Sequence, residues 1–198
     1  SVTASFTAGS TSGYEHEAND SRSTANEITF DRDIKGQLSS SADEDYYKVV
    51  VGGSGILSVV LDVPTFSSKD YFAIGFYTSE GGLLHQAETG QDKTYTLALH
   101  EAGNYYLKIF NDSYYGNYSN DQYSVTASFA TGSPEYEREP NDEVPNVLLS
   151  GATVKGKLST LTDIDWFYLK TSTTGSLSLD FDSPTNHGLS NYFYVRVL

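Results

Sequence analysis

The chain has 198 residues, 26 of them acidic and 12 basic, for a formal net charge of −14. That balance argues against nucleic acid or an anionic membrane as a partner, since both require clustered Lys and Arg, and no apolar run reaches the ~18–20 residues of a membrane-spanning helix. With no Cys there is no disulfide framework, thiolate zinc site or Cys nucleophile, while 16 Tyr and 10 Phe make the chain too aromatic for disorder.

In chain order, Ser-Val-Thr-Ala-Ser-Phe at residues 1–6 reads as a short strand. An acidic loop follows, Tyr14-Glu-His-Glu-Ala-Asn-Asp20, in which Glu15, Glu17 and Asn19 point to one side of an extended chain. Residues 23–28 are the one stretch that fits a short helical turn. Lys35-Gly-Gln-Leu38 comes next, then the acidic pair Asp43 and Asp45 just before Tyr46 and Tyr47. Residues 49–51, 56–61, Phe72–Tyr77, 95–100, 105–110 and 123–129 are short runs rich in Tyr, Val, Ile, Leu and Thr. Several alternate with period two: Tyr95, Leu97 and Leu99 share one face, Thr94, Thr96 and Ala98 the other. Gly52-Gly53, Pro64, Gly81-Gly82, Gly103-Asn104 and Gly116-Asn117 punctuate them. The pattern predicts an all-β antiparallel sandwich rather than a parallel α/β sheet. Tyr105, Leu107 and Ile109 alternate into its core, which leaves Tyr114, Tyr115 and Tyr118 to a hairpin loop.

The chain also repeats itself. The hexamer of residues 1–6 recurs unchanged at residues 124–129. The acidic loop returns as Tyr136-Glu-Arg-Glu-Pro-Asn-Asp142, the Lys-Gly segment as Lys155-Gly-Lys-Leu158, and the acidic pair as Asp163 and Asp165 before Trp166 and Phe167. The expected organisation is therefore the last strand of a preceding repeat and a linker (residues 1–12), one complete sandwich (13–130), a linker (131–135), and the first half of a second repeat (136–198). With the absence of Met, this phasing leads to the expectation of a window on a longer array.

The acids recur as a set. Glu15, Glu17, Asn19, Asp20, Asp43 and Asp45 match Glu137, Glu139, Asn141, Asp142, Asp163 and Asp165. Carboxylates brought together raise one another's pKa. A hard divalent cation resolves that conflict, and Ca²⁺ takes six to eight oxygens from carboxylates, amides and carbonyls. No His or Cys recurs in both copies, since His16 becomes Arg138, which disfavours zinc and copper. The alternative is that acids before strands are solvated turn and cap residues.

Glu-x-Glu-(Pro)-Asn-Asp, a Lys-Gly-x-Leu strand, Asp-x-Asp before paired aromatics, and the late Gly103-Asn-Tyr-Tyr-Leu-Lys-Ile109 together resemble the bacterial pre-peptidase C-terminal domain. They are also similar to the collagen-binding domains of clostridial collagenases. The resemblance implies tandem jelly-roll-like β-sandwiches of which the first is complete. It implies calcium held by Glu15, Glu17, Asn19 through its backbone carbonyl, Asp20 and Asp45, and in the second copy by Glu137, Glu139, Asn141, Asp142 and Asp165. Ala18 stands where Pro is usual, and Ala42 and Thr162 stand where the collagen binders place a further Asp; Asp43 and Asp163 are the substitutes.

Catalysis is disfavoured. His16, His85, His100 and His187 occupy unrelated positions without a nucleophile motif, and the acids sit in short clusters rather than across a glycosidase cleft. The expectation is a non-enzymatic, secreted, calcium-binding repeat of a surface fibre, filament or adhesive matrix protein. The alternative is an accessory targeting or substrate-binding domain of a secreted peptidase or other hydrolase. A half sandwich exposes apolar faces and strand edges. Self-association or pairing with neighbouring repeats by strand complementation is therefore expected, beside an extracellular protein or polysaccharide ligand; neither nucleic acid nor membrane insertion is expected.

Overall fold

The computed structural model describes residues 13–64, 71–111, 119–132, 135–158, 162–183 and 193–198. Residues 1–6, Tyr114, Tyr115, Tyr118 and His187, singled out in the sequence, lie outside the described residues. Among the described residues there is no helix. Nine strands build a sandwich: β1 (Asn26–Glu27), β2 (Ile34–Gly36), β3 (Glu44–Val51), β4 (Gly55–Asp62), β5 (Phe72–Tyr77), β6 (Leu83–Thr89), β7 (Lys93–Leu99), β8 (Gly103–Asn111) and β9 (Tyr123–Thr131). The fold is all-β.

Alternation in the sequence becomes alternation of burial. In β3 the buried residues are Asp45, Tyr47, Val49 and Val51, and in β4 Gly55, Leu57, Val59 and Leu61. In β9 they are Tyr123, Val125 and Ala127. These side chains meet Phe72, Ile74 and Phe76 of β5 and Leu107 and Ile109 of β8 in one core between two sheets. The first sheet has the order β1-β3-β8-β5-β6 and the second β2-β9-β4-β7. The antiparallel pairs nest inside one another: β5 with β6, β4 with β7, β3 with β8, β2 with β9. That is a single long hairpin rolled into a sandwich, the eight-strand jelly roll, with β1 added at an edge.

The structure differs from the sequence reading at residues 23–28. The turn lies earlier, where Thr24 N–H donates to the Ser21 carbonyl at 3.1 Å. Asn26 and Glu27 are instead β1, paired in parallel with Tyr47 and Lys48. The Glu27–Lys48 ion pair at 2.8 Å secures that edge, a cross-strand contact that no local pattern encodes.

In the second repeat, β10 (Asn146–Val147) pairs in parallel with β11 (Phe167–Tyr168). The register Asn146↔Phe167 matches Asn26↔Tyr47, and the isolated bridge Tyr136↔Lys155 matches Tyr14↔Lys35. Burial does not match. Leu177, Leu179 and Phe181 are 58%, 49% and 53% exposed, whereas Leu57, Val59 and Leu61 are at most 1% exposed.

Candidate metal centre

The acidic loop is fastened to β2 before it reaches the acids of β3. Lys35 N–H donates to the Gly13 carbonyl at 2.8 Å and Glu15 N–H to the Lys35 carbonyl at 2.9 Å. The Glu15 carboxylate then folds over β2, where Oε1 accepts the Gln37 amide at 2.6 Å. The second copy repeats each step: Lys155 to Glu135 and Glu137 to Lys155, both at 2.9 Å, with Glu137 Oε1 accepting the Lys157 amide at 2.5 Å. The middle residue of each Lys-Gly-x segment is glycine because the carboxylate lies against it. A Cβ on Gly36 would sit 2.6 Å from Glu15 Oε2, and one on Gly156 3.1 Å from both Glu137 oxygens. Both loops pass through a cis peptide at the same place, Glu17–Ala18 and Glu139–Pro140.

This folding brings carboxylate oxygens of Glu15, Glu17 and Asp45 within 4.8 Å of one another. A neighbouring triplet, Glu17, Asp20 and Asp43, shares Glu17, so all five acids of the first copy converge. The second copy forms the triplet Glu137, Glu139 and Asp165. Asp142 and Asp163 are not in it; Asp142 instead accepts the Ile164 amide at 3.0 Å.

Asn19 and Asn141 are fully buried in the middle of their clusters. The main-chain oxygen of Asn19, the atom the resemblance implies as a ligand, accepts the Tyr46 amide at 2.9 Å. Its side chain faces the acids. In both copies the amide nitrogen points at the first Glu, from Asn19 to Glu15 Oε2 at 3.4 Å and from Asn141 to Glu137 Oε2 at 3.2 Å. The amide oxygen is then turned toward carboxylates: its position in Asn19 is 2.8 Å from Glu17 Oε2 and 3.2 Å from Asp45 Oδ1. Rotating the Asn19 amide would convert these into hydrogen bonds; in the second copy the Asn141 amide has the same orientation toward its first Glu. There, Asn141 Oδ1, Glu139 Oε1 and Asp165 Oδ1 are buried with no hydrogen-bond partner, an arrangement that costs free energy unless something positive faces them.

Burial is the main cause of unusual acidity here. It pushes Asp45 up to about 8, aided by Glu15, Asp43 and Glu17 and opposed by the Tyr123 hydrogen bond. It pushes Glu139 up to about 8, with Asp163 and Glu137 adding to the effect, and Glu137 up to about 7. Glu17 and Asp165 are raised for the same first cause. Asp20 is raised chiefly by its hydrogen bond with Asp43.

The sequence reading missed two kinds of supporting residue. Tyr47 Oη donates to Glu15 Oε2 at 2.8 Å, Tyr47 and Tyr123 hydroxyls meet at 2.7 Å, and Tyr123 Oη reaches Asp45 Oδ2 at 2.5 Å. Three contacts need three protons and two phenols supply two, so the third is Asp45's own when that acid is neutral. In the second copy Phe167 replaces Tyr47 and brings no hydroxyl. Asn26 clamps the first loop, accepting His16 N–H at 2.7 Å and donating to the His16 carbonyl at 3.0 Å. Asn146 does the same for Arg138 at 2.9 and 3.0 Å. A sequence signal for this pair existed, because Asn26 and Asn146 are separated by the same interval as Lys35 and Lys155.

No family model matches the chain, and no curated protein matches it in sequence. Among solved structures the chain is similar to PliG of Aeromonas hydrophila, a periplasmic inhibitor of g-type lysozyme, at 11% identity and a TM-score of 0.40 over 54% of this chain and 96% of that one. It is similar to part of VesC, a secreted serine protease of Vibrio cholerae, at 11% identity and a TM-score of 0.39 over 50% of this chain and 21% of that one. The pre-peptidase C-terminal domain of a collagenase from Bacillus anthracis is likewise similar, at 16% identity and a TM-score of 0.41 over 52% of this chain and 94% of that one.

Proposed function

We propose that the chain is a non-catalytic, calcium-stabilised β-sandwich repeat of a secreted bacterial protein, serving as a structural or adhesive unit. The observation that carries this reading is the buried Asn141 oxygen, unpartnered beside unpartnered oxygens of Glu139 and Asp165. An all-oxygen set of carboxylates and an amide is the donor chemistry of a hard divalent cation, and the flexible geometry of Ca²⁺ suits ligands gathered from a loop and a strand start. Calcium in this reading pins each acidic loop, Glu15–Asp20 and Glu137–Asp142, to the strand start that follows it.

A cation that binds only the folded state stabilises it by about 2.7 kcal/mol at a hundredfold excess over Kd. Calorimetric melting is therefore expected to show a higher Tm in calcium than in EDTA. The increment should shrink when Glu17 and Glu139 are both replaced by Ala. Equal melting in calcium and EDTA would overturn the proposal.

A further inference from the structure

The second acidic loop is seated on the end of the first sandwich through chemistry that the first loop lacks. His100 Nε2 lies 2.9 Å from the Glu137 carbonyl, to which it donates. Arg138 forms an ion pair with Glu101. A Cβ on Gly82 would lie 3.7 Å from Pro140 Cγ, so the turn between β5 and β6 packs beside that ring. Lys157 Nζ is 3.2 Å from His85 Nε2. In the first loop the corresponding residues are His16, Ala18 and Gln37 where the second has Arg138, Pro140 and Lys157.

His85 is buried in β6, with its ring against Phe76 of β5 at 5.9 Å and Tyr95 of β7 at 6.0 Å between centroids. Lys157 faces it from the second repeat. Lys93 of β7 stands over the Tyr95 ring at 5.6 Å. On its own strand, Gln86 and Glu88 are exposed. Glu101 is paired with Arg138, and Glu137 receives the main-chain amide of Lys157. An ammonium has only protons to give. The contact therefore requires His85 to accept through Nε2, neutral and protonated on Nδ1. Burial and the proximity of Lys93 already lower the Lys157 pKa, which marks the pocket as unfavourable to further positive charge.

We propose that this joint between consecutive repeats is acid-labile, opening when His85 becomes an imidazolium that can no longer accept from Lys157. This does not depend on the calcium reading. Docking and protonation of His85 exclude each other, so docking is fully supported above the ordinary His pKa of about 6.5 and weakens as pH falls below it, by up to tenfold per pH unit. The partner that fits this end of the sandwich is thus a repeat carrying Arg and Lys at the positions of Arg138 and Lys157.

The absence of Cys allows two labels to be placed uniquely. Spin labels at the exposed positions Thr94→Cys and Thr153→Cys report the distance between the sandwich and the second repeat. In saturating calcium, pulsed EPR is expected to give one narrow distance near pH 8 and a broad distribution near pH 5. His85→Gln keeps an acceptor oxygen without a titrating proton, and should hold the narrow distance at both. A parent that stays narrow near pH 5, or a His85→Gln chain that broadens as the parent does, overturns the proposal. NMR of the His85 ring gives a second reading: it should titrate at higher pH in Lys157→Met than in the parent, and an unchanged titration also overturns it.

Discussion

Gly36 and Gly156 occupy equivalent places beneath the two acid clusters, yet their surroundings differ. A Cβ on Gly36 would lie 2.3 Å from Tyr123 Oη, itself held by Tyr47 and Asp45, whereas a Cβ on Gly156 meets carboxylate oxygens at 3.1–3.3 Å. The phenol cannot retreat without breaking the hydroxyl chain; the end of a Glu side chain can. Gly36→Ala is therefore expected to cost about 1–3 kcal/mol, the range for overpacking, and Gly156→Ala clearly less. Urea denaturation of the two variants in EDTA measures the difference, and equal effects would contradict the close approach of Tyr123. The phenols also show why half of the site was hidden in the sequence. The acids declare themselves by recurring, but Tyr47 and Tyr123 are 76 residues apart and look like any inward-facing strand aromatics.

Among the strands, the runs rich in Tyr, Val, Ile, Leu and Thr are legible: residues 56–61 and 123–129 fall within β4 and β9, the alternation of Tyr95, Leu97 and Leu99 marks β7, and residues 72–77 give β5 its full bounds although five of its six residues are buried. What escaped was set by partners distant in the chain. Leu83-Leu-His-Gln-Ala-Glu-Thr89 does not alternate cleanly in burial, because the register of β6 against β5 shifts between Phe76 and Tyr77. Two side chains in a row, Leu84 and His85, are consequently buried, and a period-two search passes over the strand. β1 and β2 are two and three residues long, too short to carry any period. They exist because Asn26, Gly36 and Lys35 find β3 or β9, and the helical turn expected at residues 23–28 lost to that pairing.

For the molecule as a whole, the raised carboxylate pKa values become a dependence on pH. Asp45, Glu139 and Glu137 titrate at about 8, 8 and 7 in the fold, against about 3.9 for Asp and 4.3 for Glu in an unfolded chain. An acid with a raised folded pKa opposes folding once ionised. The penalty is absent below about pH 4, grows as pH rises, and is complete above about pH 8. The metal-free chain should therefore gain stability as pH is lowered from about 8 to about 5. On the proposed calcium reading the ion needs the ionised oxygens, so an increment in Tm from calcium should be largest near pH 8 and shrink toward pH 5; an increment independent of pH would contradict the proposed site. The nested roll adds a consequence in time. Glu15 and Tyr123, 108 residues apart, meet only when the outermost pair, β2 with β9, closes, and contacts spanning so much chain form late. An ion that recognises only the closed roll adds little to the folding transition state, so its whole effect falls on the rate of opening. Stopped-flow traces in calcium and in EDTA should share one refolding limb and differ in unfolding, whereas faster refolding in calcium would mean the loop organises early. The ion would then act as a latch, setting how long a repeat stays shut rather than how quickly it shuts.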